Sequence, residues 1–558
     1  MIFLLPTAAS AQIGLEVDTT DATDVAINDH LFNAAKNLEI FNAAYTELEN
    51  YYVDTLNAEK NIHNALRYML YQLDPYTVFY PESNTEEVEQ MTKGKYAGIG
   101  SVIGFQEKVG RCTIDEPYEG KPAALAGLKP GDLIMEINGI DCGEAKAENR
   151  RAYSDSISAL LRGEPGTTLT VTVKRYGQKK PLTVTLTRSI ISLPSVTLSK
   201  VYNDSIGYIF LNDYTEHTAA EVKDALTQLK SQGARRLILD VRSNPGGLVE
   251  QAASVVNYFL PKGKEVVNLK GRGETDTMPY VTKSEPIDTL MPIVVMVDGS
   301  TASSAEITAG VLQDYDRAVI LGQRTYGKGL VQQVHNLPYA SMIKLTTAKY
   351  YIPSGRCIQA YTYKDGEPQH LPDSLAHEFH TAAGRTVYDG GGIKPDVEAI
   401  PDSLPVFIDD ISTSQALSDY CAMYVSKHPV ISNPAEFRLT EAEYAEFTDF
   451  VKKSGFTYET RSKKLFDVMK SAAAAEGYTD EAKAEMDALE KKLAGNTDYD
   501  FKRWENEIRD IVERRIVMSV GYQRGQIEYY LHGDKVFKKA LSLISDDAAY
   551  RRLLQPAR

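Results

Sequence analysis

The chain has 558 residues, 43% hydrophobic and 25% charged. That is ordinary globular composition, which excludes wholesale disorder, and the length fits about three or four domains. Lys and Arg number 61 against 76 Asp and Glu, a net charge of −15 with no long basic run, which argues against gripping nucleic acid. No apolar stretch reaches the roughly 18 residues of a membrane-spanning helix, so no integral membrane segment is expected.

Met1-Ile2-Phe3-Leu4-Leu5 followed by Ala9-Ser10-Ala11 looks like the tail of a secretory signal peptide. Residues 1–11 are therefore expected to be a leader remnant and the protein to be exported, to the periplasm of a bacterial envelope. Residues 12–30 are polar and read as a disordered lead-in. From Leu31 to Tyr71 apolar residues recur at helical spacing, as in Phe41, Ala44 and Leu48, then Ile62, Leu66 and Met69. A helical segment within 12–90 is predicted, stopped by Asp74-Pro75-Tyr76.

Residues 91–188 read as a compact β-rich module with one or two helices. Leu133–Ile137 is a predicted strand, Asn138-Gly139 a hairpin turn with positive φ, and Leu169–Val173 an alternating strand. A helix is predicted near Tyr153–Leu161. Residues 189–400 alternate strand and helix, with predicted strands at Ile206–Leu211, Leu237–Val241, Ile293–Val297 and Ala318–Leu321. That rhythm indicates an α/β domain with parallel pairing. Residues 401–558 lose the strands. Phe501, Trp504, Ile508, Ile511, Val512 and Ile516 form one helical stripe, predicting a helical C-terminal domain.

Cys112, Cys142, Cys357 and Cys421 are too few for a disulfide framework and form no CxxC pair. Free, mostly buried thiols are expected, although Cys112 and Cys142 could pair. His377-Glu378-Phe379-His380 is not HExxH, because its histidines are three apart, so no zinc site is expected there.

Candidate chemistry begins at Ser303-Ser304-Ala305-Glu306, between a buried strand and a helix. The S-x-x-E spacing fits a capping box. It also fits a serine at a helix N-terminus, where free N–H groups favour an oxyanion. Such a serine needs a base. His217 and His335 stand in no recognisable triad motif. Lys328, in Tyr326-Gly327-Lys328-Gly329, could serve if burial lowers its pKa. Asn244-Pro245-Gly246-Gly247 follows a strand and could turn N–H groups into a site.

In combination these segments resemble the C-terminal processing peptidases, or tail-specific proteases. Asp74-Pro75-Tyr76-Thr77 resembles the N-terminal signature. Tyr96-Ala97-Gly98-Ile99-Gly100 and Pro122–Asp132 resemble the two halves of the PDZ domain. Asp240–Gly247 resembles the oxyanion-hole motif, Thr301–Ile307 the nucleophile motif and Thr325–Gln332 the base motif. The resemblance spans about residues 74–400. It implies a crotonase-like protease core at 189–400 with an inserted PDZ domain at 91–188; with the helical N-terminal segment at 12–90 and the helical domain at 401–558 read above, a multidomain α/β protein is expected. It implies a serine endopeptidase with Ser303 as nucleophile, Lys328 as base and Gln332 orienting the lysine amine. Ser304 stays open as the alternative nucleophile. Gly246 and Ser304 would supply the oxyanion N–H groups. Gly98, Ile99, Gly100 and Ser101 would hold the substrate C-terminus. No cofactor, metal or nucleotide is implied. The partners are protein or peptide substrates with free C-termini, with room for an adaptor and a homodimer. A catalytically inactive PDZ-bearing adaptor or a hydrophobic-ligand-binding protein on the same fold remains the alternative.

Overall fold

The computed structural model describes residues 22–82, 95–107, 109–273, 277–400, 405–428, 430–478, 481–493 and 495–556. The expected leader remnant at 1–11 lies outside these residues. The chain forms two units, 1–70 and 71–558. In the first, the lead-in expectation for 12–30 is corrected over residues 22–30, its first part lying outside the described residues: a helix already runs Ala22–Tyr51, followed by Ala58–Tyr71. Thr23, Asp24, Asn28 and Asp29 are weak helix formers, which hid its start.

In the second unit a six-stranded sheet forms the α/β core. Its order is Val196–Tyr202, Ile206–Leu211, Arg236–Asp240, Ile293–Val297, Val319–Gly322 and Val397–Glu398. Only the first pair is antiparallel. Side chains alternate faces along each strand. Leu237, Leu239 and Val295 pack under the helices Thr218–Ser231, Val249–Asn257 and Ser304–Asp314. Ile238, Val294 and Met296 face the other way, onto Phe537, Ala540, Ile544 and Tyr550. The last two helices, Lys535–Ser545 and Asp547–Leu553, therefore cover the far face of the sheet.

A second, five-stranded sheet has the order Val78–Tyr80, Met342–Tyr351, Glu265–Lys270 and Thr277–Val281, with Leu330–Asn336 also paired to Met342–Tyr351. A third sheet runs Ser101–Gln106, Arg111–Pro117, Leu133–Ile137, Thr168–Lys174 and Leu182–Thr187. Its Asn138-Gly139 turn has φ of 50° and 76°, as the sequence predicts. Helices between Val406 and Gly533 bury a separate core around Phe407, Tyr420, Phe447 and Ile516. All four cysteines are free, Cys112 and Cys142 included. Among the described residues no helix is long and apolar enough to cross a membrane.

Candidate active site

The strand Ile293–Val297 delivers the chain to a turn held by Asp298. Its carboxylate accepts the N–H groups of Ser300 and Thr301, each at 2.9 Å, and of Ser243 at 3.0 Å. The Thr301 hydroxyl donates to Val241 O, and Ala302 N–H to Asn244 O, both at 2.9 Å. The loops after two adjacent parallel strands are thereby stapled together, at the strand C-termini where α/β sites form.

Ser303 is the N-cap of the helix Ser304–Asp314, with φ 55° and ψ −120°. A non-glycine residue at such a φ is strained and persists only where its surroundings hold it. Glu306, three residues on, supplies that hold from within a helix whose every residue is buried. One carboxylate oxygen accepts Ser303 N–H at 2.8 Å and Lys328 N–H at 2.9 Å. The other accepts Gly327 N–H at 2.7 Å and the Thr325 hydroxyl at 2.5 Å. Burial pushes the Glu306 pKa up to about 7, against the pull of these four donors. The capping-box glutamate is thus the joint between the Ser303 and Lys328 segments.

Ser303 is partly exposed, whereas Ser304 is buried and its hydroxyl donates to Gly247 O at 2.8 Å. Gly246 lies against this loop with φ 92°. A Cβ there would sit 2.7 Å from Ala302 O and Ser303 Cβ and 2.8 Å from Ser304 N, so only glycine permits the approach. Its own N–H donates to Asn244 Oδ1 at 2.8 Å. The expected oxyanion donor is therefore engaged by an asparagine side chain two residues back, the usual Asx-turn contact; serving an oxyanion requires that bond to be shared or released.

Lys328 is half-buried, and its Nζ lies 4.4 Å from the centre of the Tyr76 ring. Burial, then the nearby Lys344, lowers its pKa to about 8, while Glu306 and Asp74 act in the opposite direction. Tyr350, fully buried, donates its hydroxyl to Lys328 O and lies 3.3 Å from Ser303 O. Gln332 follows on the strand Leu330–Asn336, where its Nε2 donates to Thr346 Oγ1 at 3.1 Å. His217 is the N-cap of the helix Thr218–Ser231, and His335 is exposed on the Gln332 strand. Glu306 was visible in the sequence only as a cap. Tyr350, Thr346 and Lys344 gave no signal there, since they arrive on a strand that the β-α rhythm did not reveal.

The predicted tail-binding residues lead into the third sheet, and only Ser101 belongs to it. Gly98 ends a short strand, Lys95–Gly98, paired with Ser189–Ser192. Ile99 is buried, and Gly100 has φ 71° with room for no Cβ, which would fall 2.5 Å from Lys121 Cβ. Ser101 opens Ser101–Gln106, an edge strand of its sheet. Beside that edge the helix Arg150–Leu161 packs through Tyr153, edge-on to Phe105 with ring centres 5.8 Å apart. An open edge beside a helix can accept an added peptide strand.

The model of peptidase family S41 matches residues 205–367, and that of the PDZ domain residues 113–175. The C-terminal helical domain of probable PDZ-proteases matches 407–544, a region whose sequence carried no motif of its own. A carboxy-terminal-processing protease of Bartonella bacilliformis is 35% identical over 331 residues, 59% of this chain and 74% of that protein. The carboxy-terminal processing protease CtpA of Bacillus subtilis is 31% identical over 333 residues, 60% and 69% of the two chains. The solved photosystem II D1 C-terminal processing protease is 25% identical, with a TM-score of 0.36 over 68% of this chain and 90% of that one. Fold and matches define a serine peptidase that carries a PDZ domain. The chain belongs to the carboxy-terminal-processing proteases of peptidase family S41.

Proposed function

We propose that this protease is an exported, periplasmic endopeptidase that works through a Ser303–Lys328 dyad and selects substrates by their C-terminal tails. The observation that carries the reading is the Glu306 carboxylate, which binds the N–H groups of Ser303 and Lys328 through a single oxygen. Neutral Lys328 takes the Ser303 proton as the hydroxyl attacks the scissile carbonyl. N–H groups of Ser304 and Gly246 stabilise the oxyanion, Lys328 protonates the leaving amine, and water then hydrolyses the acyl-enzyme. A largely parallel sheet with the helices Thr218–Ser231, Val249–Asn257 and Ser304–Asp314 on one face supports a crotonase-like core within 189–400, its other face closed by the helices of residues 535–553. The edge strand Ser101–Gln106 and the Gly98–Ser101 turn support tail capture by a PDZ domain within 91–188, whose occupancy gates cleavage.

A lysine base sets the pH dependence. Its pKa is lowered to about 8, and only the neutral amine accepts a proton. kcat/KM will therefore rise as pH increases through about 8 and level off above it. A flat profile between about pH 6 and 9 excludes Lys328 as the base. Tail selection is tested with an unstructured peptide ending in apolar residues, as free acid and as C-terminal amide. The amide will be cut about tenfold to hundredfold more slowly, because a charge-assisted carboxylate contact is worth about 1.5–3 kcal/mol. Equal rates refute tail capture.

A further inference from the structure

The motif Asp74-Pro75-Tyr76-Thr77 has no part in the chemistry above, yet it lies against the base. Asp74 and Thr77 are 6% and 4% exposed. Asp74 Oδ1 accepts the N–H groups of Tyr76 and Thr77, each at 2.8 Å, which fixes the turn. The next residues, Val78–Tyr80, pair antiparallel with Met342–Tyr351, with Val78 opposite Lys344. On the other side of that strand runs Leu330–Asn336, with Gln332 opposite Thr346. Hydrogen bonds then cross all three strands. Gln332 Nε2 donates to Thr346 Oγ1 at 3.1 Å, Thr346 N–H to Thr77 Oγ1 at 3.2 Å, and the Thr77 hydroxyl to Asp74 Oδ2 at 3.1 Å.

We propose that the Asp74–Thr77 turn is the positioning element of the general base: Thr77, through Thr346, fixes the Gln332 amide, and the Tyr76 ring covers the Lys328 amine. The proposal rests on the Ser303–Lys328 reading. With its Nε2 held by Thr346, Gln332 keeps Oε1 as the acceptor for an amine N–H. The Tyr76 hydroxyl, 3.4 Å from that of Tyr326 and 3.3 Å from that of Tyr363, fixes the ring 4.4 Å from Nζ, where it excludes water. The charged groups facing Lys328 are Lys344 from the central strand, Glu306 from the nucleophile helix and Asp74 from the turn; Lys344 favours the neutral amine, the two carboxylates the charged one.

The test is steady-state peptide cleavage as a function of pH by the full chain, alongside thermal unfolding. Thr77→Val should lower kcat about tenfold or more at unchanged KM, with Thr77→Ser restoring it. Tyr76→Leu should lower kcat, and Tyr76→Phe, which keeps the ring over Nζ but loses the hydroxyl contacts that fix it, should lower it less. Asp74→Asn keeps an acceptor for the turn but removes the charge that favours the ammonium, so the alkaline rise should move to lower pH. A folded Tyr76→Leu and Thr77→Val with wild-type kcat, beside an Asp74→Asn profile that does not move, overturn the proposal while an inactive Lys328→Ala leaves the dyad standing. Full activity in Lys328→Ala overturns the dyad and the turn's role together.

Discussion

Ser303→Ala will lower kcat by about 10⁴-fold or more, and Lys328→Ala by a comparable factor. The double variant will be no worse than either alone, because in the proposed dyad the two side chains act as one unit and their losses do not add. The competing expectation is equally definite. If Ser303 only caps its helix, the alanine variant loses about 1 kcal/mol of stability and keeps its activity. Cleavage of an unstructured protein with an apolar C-terminus, followed together with urea unfolding, separates the two. The catalytic outcome is expected because Ser303 holds a strained backbone with φ 55° at a helix N-terminus, tied through Glu306 to the segment of a lysine whose pKa is lowered. A cap alone needs neither.

Glu306→Gln will be the most damaging conservative substitution at the site that touches neither reacting side chain. The carboxylate takes four donors, two on each oxygen. A glutamine offers one oxygen, and its amide N–H groups would point at two further donors. Each buried donor left unmatched costs about 1–3 kcal/mol, so stability should fall by about 2–6 kcal/mol. Loss of register between the two loops should lower kcat about 10²-fold. The pH dependence gives an independent readout. Burial raises Glu306 from its ordinary 4.5 to about 7, so the proton is bound more tightly in the folded chain than in the unfolded one. Its stabilising contribution is full below about 4.5, declines as pH rises, and is gone above about 7. Glu306→Gln removes that slope. Urea unfolding of both chains across this interval measures it, and parallel curves would show that Glu306 does not titrate there.

Much of the site was legible because its signals are local. The S-x-x-E spacing at Ser303 and Glu306 places a serine at a helix start, and the glycines at 246 and 247 mark a tight turn after a buried strand. Each can be read within a few residues, since capping and turn formation act over that distance. The β-α rhythm of residues 189–400 likewise reports strands buried on both faces. The helix from Ala22 escaped the same reasoning because its first turns are built from weak helix formers.

What the sequence determined by itself was the inventory: an α/β core, a β-rich module, a helical end, and a serine and a lysine in segments fit for chemistry. Tertiary structure decided how those parts work. Lys328 lies 25 positions beyond Ser303, and the two segments are tied by a carboxylate whose sequence role was only to cap. The lysine's lowered pKa comes from burial and from Lys344, which a separate strand brings in. Gln332 takes its amide orientation from Thr346, which is itself held by Thr77, 269 positions away in the chain. The final helices, which read as part of a helical domain, close the far face of the protease sheet. Helix caps, turns and strand alternation are set by residues within about four positions of one another, whereas desolvation and charge proximity depend on whichever strands the topology brings together.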